Sequence, residues 1–200
     1  MALDYTILSP KDFKKIPWRN GQGMTTELKI GQAEGGMTFN WRLSSAPVDS
    51  NGPFSDFSGY DRILVLLKGN GMDLFHGNGC TAHLRKPYDM AVFSGDLKTH
   101  AVLVDGGIQD FNIMTRQGHC RANVDLFKSF GEHSLSIAAD DFLVYSPDHD
   151  TCLGPQGEGA VCLPAGHLFH VKSVPMSPWY FQGHGIICIQ VRNRTTCPPK

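Results

Sequence analysis

The chain has 200 residues, 41% of them hydrophobic, with 18 basic and 19 acidic side chains. That balance lacks the excess of Lys and Arg needed to grip a phosphate backbone, so nucleic acid is excluded as the main partner. No apolar run approaches the ~20 residues that span a bilayer, and the opening "MALDYTILSPKDFKK" has neither the basic start nor the apolar centre of a signal peptide, so a cytoplasmic protein with no membrane partner is expected.

In chain order, the first predicted element is a helix of one or two turns in "LSPKDFKKIPW". Ser9 caps it, Pro10 suits the first helical position, and Asp12 stands where its carboxylate reaches back to the Ser9 amide. Pro17 stops it. Next comes "PWRNGQGMTTEL", which crowds an aromatic ring, a cation, an amide, hydroxyls and a carboxylate around two glycines. It reads either as a polar loop with one core tryptophan or as the wall of a binding site. After it, "TTELKI" alternates, and "FNWRLSSA" sets Phe39, Trp41 and Leu43 against Asn40, Arg42 and Ser44.

"GPFSDFSGYDR" then leads through Asp61 and Arg62 into the continuous apolar strand of "RILVLLKGNG". The strands "DMAVFSGD", "HAVLVDGG" and "DFNIMTR" follow at similar intervals, then "DFLVYS", "GAVCLPAG" and "GIICIQVRN". A second short helix is drawn at residues 123–130. Glycine turns between short apolar runs predict an all-β protein. The six cysteines are scattered with no CxxC pair, and without an export signal they read as reduced thiols.

The order "RILVLL", "DMAVFSGD", "FNIMTR" recurs as "DFLVYS", "GAVCLPAG", "GIICIQVR" at offsets of roughly 70–80 residues. Any β protein repeats strands and glycine turns, which is one account. The other is two similar β-barrels or sandwiches meeting near residues 117–123, with strands near 63–67 and 142–146 in equivalent places. No Pro/Ser-rich linker separates the halves, so they are expected to pack as one body. On that account residues 1–118 form an N-terminal half with the ligand pocket and residues 119–200 a C-terminal half.

Charge is concentrated where burial is expected. Glu27, Arg42, Asp61, Arg62 and Asp110 all abut apolar strands, and "DFNIM" puts Asp110, Asn112 and Met114 on one face. A buried charge is costly unless paired. The outcome is either a structural salt-bridge network or a polar pocket whose arginines grip an anion.

The words "WRNGQGMTTEL", "FNWRLSSA", "GPFSDFSGYDR", "LLKGNG", "FSGD" and "DFNIM" run in order from Trp18 to Met114. In them the chain resembles the HutD/Ves family of cupin-like proteins. The resemblance implies a bicupin, two RmlC-like antiparallel β-barrels in one chain. It also implies a regulatory or sensing role near histidine utilisation, with N-formylglutamate or a relative as ligand and no established catalysis. One departure is Gln22, which stands where the family commonly has a second glycine.

The signature of metal cupins is incomplete. No H-x-H pair exists in the chain, and His100 lies at the wrong distance from Gly95. Pro164, Gly166 and His170 fit the later turn without an upstream partner, and a metal site ordinarily needs three protein ligands. No metal and no cofactor are expected. No G-x-S-x-G elbow or dinucleotide fingerprint is present.

The reading is a bicupin that binds a small anionic, formylglutamate-like metabolite in its N-terminal barrel. Trp18, Asn20 and Thr25 form one wall, Arg42 and Arg62 the anionic grip, and Glu27, Asp61 and Asn112 the polar remainder. Asp61 and Asp110 have the alternative task of neutralising and orienting the arginines. The rivals are a cupin enzyme, isomerase-like with Glu27 or Asp61 as acid/base or metal-dependent, and an interaction protein working through its second barrel. A homodimer is left open.

Overall fold

The computed structural model describes residues 4–18, 23–33 and 38–194. Among these the expected helix near the N-terminus is a single 3-10 turn, Pro10–Asp12, in which the Ser9 amide donates to Asp12 Oδ2 at 2.8 Å. The rest of the regular structure is strand. In chain order the first strands are β1 (Tyr5–Leu8), β2 (Lys14–Pro17), β3 (Met24–Gln32), β4 (Phe39–Val48), β5 (Gly52–Pro53) and β6 (Tyr60–Lys68). There follow β7 (Met72–His76), β8 (Thr81–Leu84), β9 (Met90–Ser94), β10 (Thr99–Leu103) and β11 (Ile108–Arg116). The remainder are β12 (Cys120–Phe127), β13 (Gly131–Tyr145), β14 (Thr151–Pro155), β15 (Val161–Leu163), β16 (Leu168–Gly183) and β17 (Ile186–Asn193). The helix drawn at residues 123–130 is corrected to β12. Phe127 packs there against the core of its unit, as a strand residue on the inward face.

The chain divides into two compact units, Lys14–Cys120 and Met1–Phe13 with Arg121–Lys200. The first holds a six-stranded sheet ordered β2-β3-β4-β11-β6-β9 and a four-stranded sheet ordered β5-β10-β7-β8. All the pairings are antiparallel. Its core lies between them: Val48, Leu64, Leu66, Ala91, Phe93 and Ile108 from one sheet meet Met72, Leu74, Leu84 and Ala101 from the other.

The second unit is one sheet ordered β12-β17-β13-β16-β14-β15, with β1 paired to the first part of β16. β13 and β16 run 15 and 16 residues and slip register between Ile137 and Ala139. A bulge of that kind bends a long strand, so different parts of one strand pair serve different walls. Trp179, Phe142, Phe169 and Phe181 fill the inside in edge-to-face contacts, with Phe142 and Trp179 centroids 5.0 Å apart.

Part of the repeat is visible in the pairing. β6 lies beside β11, the last strand of its sheet in chain order, and β13 lies likewise beside β17. The glycine-turn strands differ: β9 pairs with β6, whereas β15 pairs with β14.

Gly95 closes β9 where no side chain fits. Its amide donates to the Tyr60 carbonyl at 2.7 Å, and a Cβ there would collide with the backbone carbonyls of Phe57 and Tyr60. Gly95→Ala is therefore expected to destabilise the protein by about 1–3 kcal/mol, the usual cost of overpacking against atoms that cannot move aside. Urea unfolding of the variant checks this through a lowered midpoint at unchanged slope.

Candidate functional site

Register builds the site. Across β4, β11 and β6, Arg42 stands opposite Met114, which stands opposite Arg62. The next rows on the same face are Ser44–Asn112–Leu64 and Ala46–Asp110–Leu66. Directly opposed residues share a face. Leu64 and Leu66 belong to the core between the sheets, so Arg42, Arg62, Asp110 and Asn112 are directed into that interior. A strand rule that normally sends such side chains to water here sends them inward.

Arg62 is 4% exposed. Its Nη2 donates to Asn112 Oδ1 at 2.6 Å, and Asn112 Nδ2 donates in turn to Asp110 Oδ2 at 3.0 Å. Asp110 Oδ1 accepts the Ala46 amide at 3.1 Å. The guanidinium carbon lies 5.1 Å from the ring centroids of Phe54 and Phe93 and 5.4 Å from that of Phe57, within cation–π reach of all three. Yet among the described residues Arg62 Nε is buried with no acceptor. From the four-stranded sheet, His76 and Thr99 stand opposite each other on the face that carries Leu74 and Ala101, with His76 Nδ1 2.9 Å from Thr99 Oγ1. The His76 ring lies 4.8 Å from Phe93.

Burial governs the titration of this cluster. It pushes Arg62 down to about 10, against the opposing pull of Asp110 and with the help of Arg42. It pushes Asp110 up to about 6, although Arg62, the Ala46 amide and Asn112 all favour the carboxylate. His76 is pushed down by burial first and by Arg62 second. Among the described residues Arg62 shares no direct ion pair and leaves its Nε–H unanswered, an uncommon state for a buried cation.

The other expected residues distribute as follows. Glu27 pairs with Ser44 across β3 and β4, and its Oε2 accepts Arg42 Nε at 2.7 Å, with the two side chains 12% and 11% exposed. Arg42 thus faces inward but already has a carboxylate. Trp18 Nε1 donates to Thr25 Oγ1 at 2.9 Å, which ties the two ends of the glycine loop. Asn20 lies outside the described residues. Asp61 is not brought to the cluster. Alternation on β6 turns it to the face opposite Arg62, where Gln117 Nε2 donates to it at 3.1 Å and also to Ser94 and Asp96.

A double-mutant cycle on Glu27→Gln and Arg42→Met is expected to give a coupling of about 1–3 kcal/mol in urea unfolding, as a nearly buried charge-assisted pair should.

Sequence reasoning missed the aromatic lining and the contribution of the second sheet. Phe54 and Phe57 sit in a glycine-, serine- and aspartate-rich loop, and two phenylalanines there are a readable sign of packing onto something. His76 and Thr99 carry no such sign, because they reach the site only through the pairing of β7 with β10. Among the described residues no three His, Cys, Asp or Glu side chains converge as metal ligands. His170, the turn histidine, is buried with Nε2 2.7 Å from Asp141 Oδ1. No helix is long and apolar enough to cross a membrane among the described residues.

Two antiparallel β units, one enclosing a polar cluster between its sheets, define an all-β protein of the cupin-like, bicupin type. The family model described as HutD matches residues 10–188, and the chain belongs to that family, which is associated with histidine utilisation. It is 35% identical over 140 residues to an uncharacterised 21.2 kDa protein in the hutC 3′ region of Pseudomonas putida, covering 70% of this chain and 72% of that one. It is 40% identical over 117 residues to protein Ves of Cronobacter sakazakii, covering 56% of this chain and 63% of that one. The structure of HutD from Pseudomonas fluorescens SBW25, determined in a formate condition, is similar at TM-score 0.83 and 26% identity over 96% of this chain and all of that one.

Proposed function

We propose that the first unit binds a small carboxylate metabolite on Arg62, and that the protein thereby senses or regulates histidine catabolism. The observation that carries this is the unanswered Nε of a buried arginine ringed by three phenylalanines. Such a guanidinium offers a planar donor edge in a medium of low polarity, where a carboxylate acceptor gains most. The aromatic lining excludes water, and Asn112 holds the fork in plane. N-formylglutamate suits the site because it pairs carboxylates with a formyl amide that the second Nδ2 hydrogen of Asn112 can meet. Asp61, on the opposite sheet face, is left out of this assignment.

Titration calorimetry with N-formylglutamate, glutamate, formate and simple dicarboxylates tests the reading. Saturable heat with N-formylglutamate, stronger than with formate, is the expected result. Silence with every carboxylate, in protein shown to be folded, would remove it.

A second reading has one observation in its favour. Asp110, pushed up to about 6, has the proton affinity of an acid/base group near neutrality. An enzymatic role would then rest on Asp110 rather than on Glu27 or Asp61. Following N-formylglutamate by NMR with stoichiometric protein separates turnover from binding.

A further inference from the structure

The strongest unassigned feature lies in the second unit. Cys152 on β14 and Cys162 on β15 are directly opposed across the antiparallel pair, with Sγ atoms 3.4 Å apart. Their neighbours Leu153, Val161 and Leu163 turn to the core, so alternation puts both cysteines on the face away from it. β15 ends the sheet, Cys162 is exposed and Cys152 half-buried. The other described cysteines differ: Cys120 and Cys188 are buried, and Cys80 is an exposed thiol of the first unit.

We infer that Cys152 and Cys162 form a redox modification site, which takes up a reversible cross-strand disulfide by exchange with a small disulfide such as oxidised glutathione. The exposed sulfur starts the reaction. Cys162, as thiolate, attacks one sulfur of the small disulfide, whose S–S bond breaks and releases one small thiolate. Cys152 then gives up its proton and attacks Cys162 Sγ, forming the protein disulfide and expelling the second small thiolate. Two protein thiols are oxidised, one small disulfide is reduced, and the two protons leave with the two small thiols. Cys152 is suited to the second step by its contact with Cys162 Sγ. It is poorly suited to the first, because its thiol is held above the usual range by the hydrogen bond with Cys162, then by burial, then by the charges of Cys162 and Asp150. The sulfurs are already in contact, and only β15 and the connection at residues 156–160 need adjust, so little backbone movement opposes closure.

The bond would pin the terminal strand of the sheet to its neighbour. That contact otherwise rests on three opposed residue pairs, Thr151–Leu163, Cys152–Cys162 and Leu153–Val161.

The test uses the full chain in glutathione buffers of graded oxidation. After quenching with an alkylating agent, the peptides are mapped by mass spectrometry. The expected product is a 152–162 linkage lighter than the dithiol by two hydrogen atoms, reversed by reductant. Cys152→Ser should trap a stable glutathione adduct on Cys162, because the resolving thiol is gone. Cys162→Ser should leave Cys152 reacting at least ~10-fold more slowly than Cys162 does in the first variant, as its lesser exposure dictates. Native protein that carries separate adducts on both cysteines, that links either of them to Cys80, or that leaves both thiols unmodified under conditions oxidising Cys80, would overturn the inference.

Discussion

Arg62→Ala is expected to lower affinity for N-formylglutamate by about 2–4 kcal/mol, roughly 30- to 1,000-fold in Kd. The effect has two sources. The ligand loses its charge-assisted donor, and its carboxylate then enters a buried interior with no uncommitted cation among the described residues to receive it. Arg62→Lys should fall between the parent and the alanine variant. An ammonium keeps the charge but loses the flat fork that Asn112 holds and the three aromatic faces flank. Arg42→Ala should matter less for the ligand, since the Arg42 Nε is already given to Glu27. Folding is a separate question, because removing the cation leaves Asp110 buried without its attraction. Protonation of Asp110 limits that penalty, so the alanine variant is expected to fold with a lowered melting temperature. Calorimetry and thermal unfolding on the same samples keep the two effects apart. A folded Arg62→Ala protein that binds N-formylglutamate with unchanged affinity would take Arg62 out of the site.

The contrast between Arg42 and Arg62 shows how far the sequence could be read. Both are polar interruptions in apolar strands, and both were expected to grip the ligand. Alternation along a single strand correctly put Arg42, Asn40 and Ser44 on one face, but the face of a lone strand has no inside or outside. Only the pairing of β11 with β4 on one side and β6 on the other shows that this face is the one carrying Leu64 and Leu66 into the core. The carboxylate that satisfies Arg42 comes from β3, fifteen residues earlier, across a register shift between Glu27 and Lys29. A register shift leaves no mark in the amino-acid pattern. Asp61 fell the other way for a related reason. It neighbours Arg62 in the chain, and that adjacency on a strand guarantees opposite faces. The all-β class was legible because glycine turns and short apolar runs are local. The helix drawn at residues 123–130 was not a safe reading for the same reason, since β12 is held by sheet neighbours that no local propensity records.

The stability of the protein should carry an inverted pH signature from Asp110. An aspartate paired on a surface gains stability from ionisation, and loses it as acid protonates the native carboxylate. Asp110 behaves oppositely because burial outweighs its partners and pushes it up from 3.8 to about 6. The native carboxyl holds its proton where the unfolded one has lost it, so the stabilisation is complete below pH 3.8 and is lost as pH rises to about 6. Two units correspond to about 3 kcal/mol at most. His76, pushed down by burial, pulls the other way near the top of this window, because its native form resists the proton that the unfolded histidine accepts. The exposed aspartates Asp12, Asp56 and Asp96 are all lowered by hydrogen bonds, so their contribution is lost only at pH below 3.8. Comparison with Asp110→Asn cancels those backgrounds. The difference in unfolding free energy between parent and variant should drift by about 2–3 kcal/mol between pH ~4 and ~6.5 and then level off. Ligand affinity should follow the same proton. A carboxylate ligand and an ionised Asp110 compete for Arg62, so N-formylglutamate should bind more weakly as pH rises through about 6 in the parent and with a flatter profile in Asp110→Asn. Parallel unfolding and calorimetric titrations across that range decide it. A parent–variant difference that stays flat with pH would mean that Asp110 is not the group that titrates.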